Sequence, residues 1–337
     1  MMSRRQGFQL AGAAGLAAMG GMLGGCASGG GAAGGSSGTA APSTVRTPVG
    51  FAVPPGACDC HVHVFPDPTA FPFWSGRAYT PPVATADDLL ALQRALHMDR
   101  VVIVQPSVYG TDNRATLDGM RQLGPLRARG VAVIGEQTGA AELDAMHAAG
   151  IRGIRVNLET GGVTDPAAAG RLLDAAVARI QGRLWHLQIY ARLTLIEALR
   201  ARLAALPMPV VFDHFAGAQA AQGVEQPGFA SVLELVRAGR AYVKVSGAYR
   251  ASSEAPDYPR VAALARALIA ANPERIVWGS DWPHPDSVPV AGRGATDIAP
   301  PMPIDDGRVL NLLAEWAPDA GLRHRILVDN PARLYDF

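Results

Sequence analysis

Beyond residue 51 the chain repeats one rhythm eight times: a short run rich in β-branched and apolar residues, a loop, then an amphipathic helical stretch. Predicted strands cover 58–64, 100–105, 131–136, 153–158, 184–190, 209–215, 241–246 and 275–281. Helical spacing covers 85–97, 113–129, 140–149, 165–181, 193–206, 228–238 and 257–271, and Thr85 stands where it can cap the first helix, whose apolar face is Leu89, Leu90, Leu92 and Leu96. Strands separated by helices must pair in parallel, because each crossover returns the chain to the same end of the sheet. Eight such units need about 250 residues to close into a (β/α)8 barrel, and 51–337 supplies that length. A doubly wound open sheet is the alternative, but no Gly-rich dinucleotide fingerprint follows the first strand.

The segment before the barrel has a different character. Arg4 and Arg5 precede a weakly apolar Gly/Ala run, so residues 1–25 read as an export signal, too short and glycine-rich for a membrane span. The paired arginines resemble a twin-arginine signal, although Phe8 stands one place later than usual. Leu23-Gly24-Gly25-Cys26 resembles a bacterial lipoprotein box, which marks Cys26 as a lipidation site. Residues 26–50 are a Gly/Ser/Ala-rich tether, leaving 51–337 as the folded domain. The expected location is therefore periplasmic, with a lipid at Cys26 as the contact with the membrane; an incidental cysteine in a tail is the competing reading.

Composition narrows the function. With 49% hydrophobic and 18% charged residues the chain can bury one large core, and a formal charge of +1 with mixed signs gives no basic stripe for nucleic acid. Three cysteines are too few for a disulfide framework, and Cys58 and Cys60 read as small buried hydrophobes.

A barrel gathers its chemistry at the C-terminal ends of its strands. The polar residues obey that demand. Strand one runs Asp59-Cys60-His61-Val62-His63, and side-chain alternation points His61 and His63 the same way, with Asp59 one step behind. Gln105 and Ser107 end strand two, Glu136 strand three, Arg155 and Asn157 strand four, and His186, Gln188 and Tyr190 strand five. Asp213 and His214 end strand six, Ser246 and Arg250 strand seven, and Asp281 strand eight. Buried polar groups are costly unless paired, so this one-ended placement argues for a site.

The histidine pair, His214 and Ser280-Asp281-Trp282-Pro283-His284 together resemble the amidohydrolase superfamily, specifically its amidohydrolase-related branch. Within it the chain is similar to the 2-pyrone-4,6-dicarboxylate lactonases and neighbouring sugar-lactone lactonases, over 51–337 and through the closing Asn330-Pro331-Ala332-Arg333-Leu334-Tyr335. The resemblance implies that Asp281 is the general base that takes a proton from the attacking water. His61, His63 and His214 would polarise the carbonyl or hold the oxyanion, directly or through a bound metal. It also implies that Tyr79, Ser107 and Tyr190 donate hydrogen bonds to the substrate. Many superfamily members hold zinc or manganese, and His61, His63, His186, His214 and Asp281 are the set that would bind one divalent ion here. Arg155 and Asn157 stand on strand four where binuclear members place a carboxylated lysine, and the dicarboxylate lactonases work without metal, so no cofactor is the expectation.

Arg155 and Arg250 speak for the substrate's charge. A guanidinium at a barrel mouth needs an anion, which points to a small carboxylated lactone; Glu136 or Glu159 is the competing partner for Arg155. The aromatic loop 65–79 reads as a lid or a plug. Lys244 reads as a solvated or capped side chain, His97, His147 and His324 as surface or satisfied histidines, and His284 has no assigned role. The expected activity is lactone opening by base-assisted water attack. The alternatives are a metal-dependent decarboxylase or amide hydrolase of the same superfamily, and an exported binding lipoprotein without turnover.

Overall fold

The structure is a computed structural model that describes residues 45–287 and 290–337. The export-signal, tether and Cys26 expectations fall on residues outside the described ones, apart from 45–50. No helix among the described residues is long and apolar enough to cross a membrane.

Eight strands form one parallel sheet in chain order: β1 (Cys58–Val62), β2 (Arg100–Val104), β3 (Ala128–Ala132), β4 (Ile151–Asn157), β5 (His186–Tyr190), β6 (Val210–Phe212), β7 (Ala241–Ser246) and β8 (Ile276–Gly279). The circle nearly closes where the chain leaving β8 meets β1. Asp281 N–H donates to the His61 carbonyl at 2.8 Å and His63 N–H to the Trp282 carbonyl at 2.9 Å. Helices wrap the outside as the (β/α)8 pattern requires. Thr85 caps the helix Ala86–Ala95 through a capping box with Asp88.

The core has two parts. Most buried apolar side chains lie in one large cluster that includes Val62, Ile103, Ile154, Leu187 and Trp278. A second cluster joins Cys58, Cys60, Val102, Val104, Val131, Val211 and Val277 to Leu334 and Tyr335 of the last helix, Asn330–Tyr335. Cys58 and Cys60 are buried and free, as expected.

Two local expectations change. Strand three begins three residues earlier than 131, because Gly124, at φ +87°, ends the preceding helix at Leu123. Glu136 therefore sits in the following loop and not at a strand end. In β1 the register slips between Asp59 and Val62, and Asp59 turns away from the imidazoles to accept from the backbone N–H groups of Ser280 and His61. Burial raises its carboxyl to about 7.

The seam between β8 and β1 allows no side chain at Gly279, where a Cβ would lie 2.7 Å from His61 Cβ and 2.8 Å from its backbone nitrogen. Gly279→Ala is expected to destabilise the fold by about 1–3 kcal/mol, the range for overpacking, as read from the denaturant midpoint. An unchanged midpoint would contradict this tight approach.

Candidate active site

The mouth of the barrel gathers groups from seven of the eight strand ends. Asp281 follows β8 in left-handed backbone at φ +68°, and His214, just after β6, is also left-handed at φ +46°. Non-glycine residues adopt this conformation at a cost, and such outliers concentrate at functional sites.

Asp281 is fully buried, and its two oxygens have different surroundings. Oδ2 accepts from the Tyr249 hydroxyl and from Arg250 Nε, both at 2.5 Å. Oδ1 has no hydrogen-bond partner among the described residues. It faces His61 Nε2 and His63 Nε2 at 3.7 Å each and His214 Nε2 at 3.8 Å. Burial alone would raise this carboxyl, but the Arg250 guanidinium beside it holds it well below the usual carboxylate range. Asp281 is thus an anion with one oxygen tied and one available.

The imidazoles are neutral. Burial pushes His63 and His214 down to about 4, and burial with the Lys244 ammonium holds His61 well below its ordinary range. His63 Nδ1 donates to the Val104 carbonyl at 2.7 Å, which leaves its Nε2 as a lone pair. His214 Nδ1 lies 3.0 Å from Ser246 Oγ. His61, His214 and Asp281 form a cluster whose candidate ligand atoms all lie within 4.8 Å of one another. A divalent ion fits this donor set: His61 Nε2 and Asp281 Oδ1 are buried without partners, and the outer nitrogens are oriented by neighbours as metal-ligating histidines usually are. His186 does not join it. It lies one layer down, against Tyr335 with ring centroids 5.2 Å apart and over Gly153, where a Cβ would meet its ring at 2.4 Å.

Beneath His61 lies a second charged group. Asp213 accepts from Arg155 Nε at 2.9 Å and from Gln188 Nε2 at 2.7 Å. Lys244, read from the sequence as solvated or capped, is wholly buried here: its ammonium donates to the Cys60 carbonyl at 2.9 Å and to Gln188 Oε1 at 2.8 Å, and lies 3.3 Å from His61 Nδ1. Burial pushes Lys244 down to about 8. Burial would raise Asp213, yet Arg155, His61 and Lys244 hold it well below the usual range. The partner of Arg155 is therefore Asp213, and Glu159 instead pairs with Arg192 at 3.0 Å.

The remaining expected residues converge on the same mouth. Arg155 lies 5.6 Å over the Tyr190 ring, and Tyr190 stands edge-on to His214. The Tyr79 hydroxyl is raised by burial and interacts with Arg250, Arg155, Asp281 and Ser107. Two cavities open here. One of about 470 Å³ is lined by Tyr190, His214 and Arg250, and one of about 330 Å³ by Trp74, Ser107 and Arg155. In the aromatic loop Phe73 stacks on Tyr109, while Trp74 is half exposed and lines the smaller cavity.

Sequence reasoning missed Tyr249, Lys244 and the role of His284. Tyr249 stands directly before Arg250, which was singled out, and Lys244 breaks an apolar strand, so both left a trace. His284 is buried between Tyr249 and Asp306.

The neutral histidines give the fold a pH dependence. In the unfolded chain these imidazoles bind protons near pH 6.5, whereas in the folded protein His63 and His214 do so only near 4. Protonation favours unfolding, so stability falls as pH drops from about 6.5 to 4. Melting temperatures of chelator-treated protein over that range are expected to decline steadily; a flat profile would contradict neutral buried imidazoles.

Comparison with known proteins identifies the relatives of this chain. The family model described as Amidohydrolase matches residues 58–337. The chain is 36% identical to 4-sulfomuconolactone hydrolase of Hydrogenophaga intermedia over 291 residues, covering 86% of this chain and 91% of that one. It is 36% identical to the 2-pyrone-4,6-dicarboxylate hydrolase of Comamonas testosteroni over 294 residues, covering 85% and 92%. It also resembles the crystal structure, with citric acid bound, of a probable 2-pyrone-4,6-dicarboxylic acid hydrolase from Acinetobacter baumannii: TM-score 0.67, 26% identity, 84% of this chain and 100% of that one. A match running from β1 to the last residue places the chain in the amidohydrolase family.

Proposed function

We infer that this protein is a hydrolase that opens a small lactone carrying acidic groups, of the 2-pyrone-4,6-dicarboxylate kind. The observation that supports it most is the free Oδ1 of an ionised Asp281 facing three neutral imidazoles, with Arg155 and Arg250 beside it. The relatives named above act on lactones with acidic substituents, which favours this reading over amide hydrolysis, decarboxylation or binding without turnover.

The chemistry follows from the atoms. Asp281 Oδ1 takes a proton from water as the water oxygen attacks the lactone carbonyl carbon. Where Lys244 donates to His61 Nδ1, His61 presents Nε2–H to the developing oxyanion; His214 does the same where Ser246 donates to its Nδ1. The tetrahedral intermediate collapses by breaking the ring C–O bond, and the proton held on Asp281 passes to the departing ring oxygen. Arg155 and Arg250 keep terminal N–H groups for the substrate's acidic groups, so each anchors through nitrogens that Asp213 and Asp281 leave unused. Tyr79, Ser107 and Tyr190 would orient the ring.

Should a divalent ion be resident, His61, His214 and Asp281 would hold it with His63 alongside, and it would supply Lewis-acid polarisation and a more acidic water. We propose further that residues 1–25 export the protein and that a lipid on Cys26 tethers it to the periplasmic face of a membrane, on the pattern of Arg4, Arg5 and Leu23 to Cys26.

Three outcomes are expected. Asp281→Asn lowers kcat on pyrone dicarboxylate by about 10²–10⁴-fold, the usual worth of a positioned base, and equal rates would remove Asp281 from that role. Lactonase activity survives exhaustive chelation if the imidazoles act directly, and is lost and restored by zinc or manganese if they act through an ion. Cys26→Ser moves the protein from the membrane fraction to the soluble fraction; retention at the membrane would contradict the tether.

A further inference from the structure

Behind the available oxygen of Asp281 runs a line of hydrogen bonds that the lactone-opening steps do not use. Tyr249 donates to Asp281 Oδ2 at 2.5 Å. His284 Nδ1 lies 3.2 Å from the Tyr249 oxygen, and its Nε2 lies 2.8 Å from Asp306 Oδ1. His284 and Asp306 are completely buried, and Tyr249 and His284 also meet edge to face at 5.4 Å.

Proton counting gives this line a direction. A phenol has one proton, and at 2.5 Å from an ionised carboxylate it must lie on that contact. The Tyr249 oxygen is then left as an acceptor, so His284 Nδ1 is the donor to it. Nε2, 2.8 Å from the Asp306 carboxylate, must donate as well, so the ring meets both acceptors when it carries a proton on each nitrogen, as an imidazolium paired with Asp306. Burial, opposed by Arg250 but reinforced by the Asp281 carboxylate, holds the Tyr249 hydroxyl well above its ordinary range. His284 is itself in left-handed backbone at φ +57°, a strained conformation for a non-glycine residue.

We propose that Tyr249, braced by His284 and Asp306, is a positioning residue for Asp281. Two donors on Oδ2, Tyr249 and Arg250, stop the carboxylate from rotating and commit Oδ1 to the point facing His61, His63 and His214. Arg250 divides its guanidinium between Asp281 and an anionic substrate, and its side chain is 23% exposed, whereas Tyr249 is held from behind by the buried His284 and Asp306 and serves Asp281 alone. The proposal rests on Asp281 acting through Oδ1, as in the lactonase reading.

Crystal structures and kinetics test it separately. In Tyr249→Phe the Asp281 carboxylate is expected to rotate, so that Oδ1 no longer sits 3.7–3.8 Å from the three Nε2 atoms; an unchanged pose overturns the proposal. On pyrone dicarboxylate, Tyr249→Phe is expected to lower kcat by about 10–100-fold, as is usual for groups that orient reacting ones, with KM little changed. An unaltered kcat in an active enzyme overturns it. His284→Leu should cost a similar factor alone and almost nothing when added to Tyr249→Phe, since it acts through that hydroxyl. Multiplying effects would assign His284 a merely structural role. Should the unmodified enzyme open no lactone, the lactonase reading falls while the crystal comparison still decides the positioning.

Discussion

The active site depends on a carboxylate that is not at its surface. Asp213 sits fully buried in the barrel, receives Arg155 and Gln188, and lies beside His61 and Lys244. Removing three charged groups from water costs several kcal/mol each unless they are densely paired, and here the Lys244 ammonium, the Gln188 amide and Arg155 Nε all find acceptors. Gln188 is the hinge of that pairing: its amide nitrogen gives to Asp213 while its oxygen takes from Lys244. The arrangement fixes the Arg155 fork at the mouth and the His61 ring above the core. Specific buried polar networks of this kind secure geometry more than stability.

Above that foundation, the site works by division of labour between two oxygens of one side chain. Oδ2 of Asp281 is saturated by neutral and cationic donors, and Oδ1 is left for chemistry. Backbone strain follows the same map. Asp281, His214 and His284 all adopt left-handed conformations, and each contributes to the constellation around the base. Regular strand geometry would aim these side chains elsewhere, and the surrounding core holds them against that preference.

Much of the architecture was legible from the chain. Short apolar, β-rich runs separated by helical spacing mark the eight strands, although the third is shifted by three residues, and capping at Thr85 places the start of the first helix within a residue. His61, His63, His214 and Asp281 could be gathered because a parallel barrel puts every strand's end on one rim. Other features could not be read. The slip in β1 that turns Asp59 aside depends on how β1 meets its neighbours, and no local pattern encodes it. Lys244 looked like a surface lysine because charge alone does not reveal which buried acceptors await it. The brace behind Asp281 joins residues 249, 284 and 306, from a short helix, a strained turn and a helix start. Such a line exists only in three dimensions.

The last helix has a consequence for how the protein comes to life. Tyr335 and Leu334 pack under the barrel with residues from β1, β2, β3, β6, β7 and β8, and the base itself follows the final strand. The imidazoles His61, His63 and His214 therefore meet Asp281 only once the segment after β8 has joined β1, and Leu334 and Tyr335 close the floor beneath that seam.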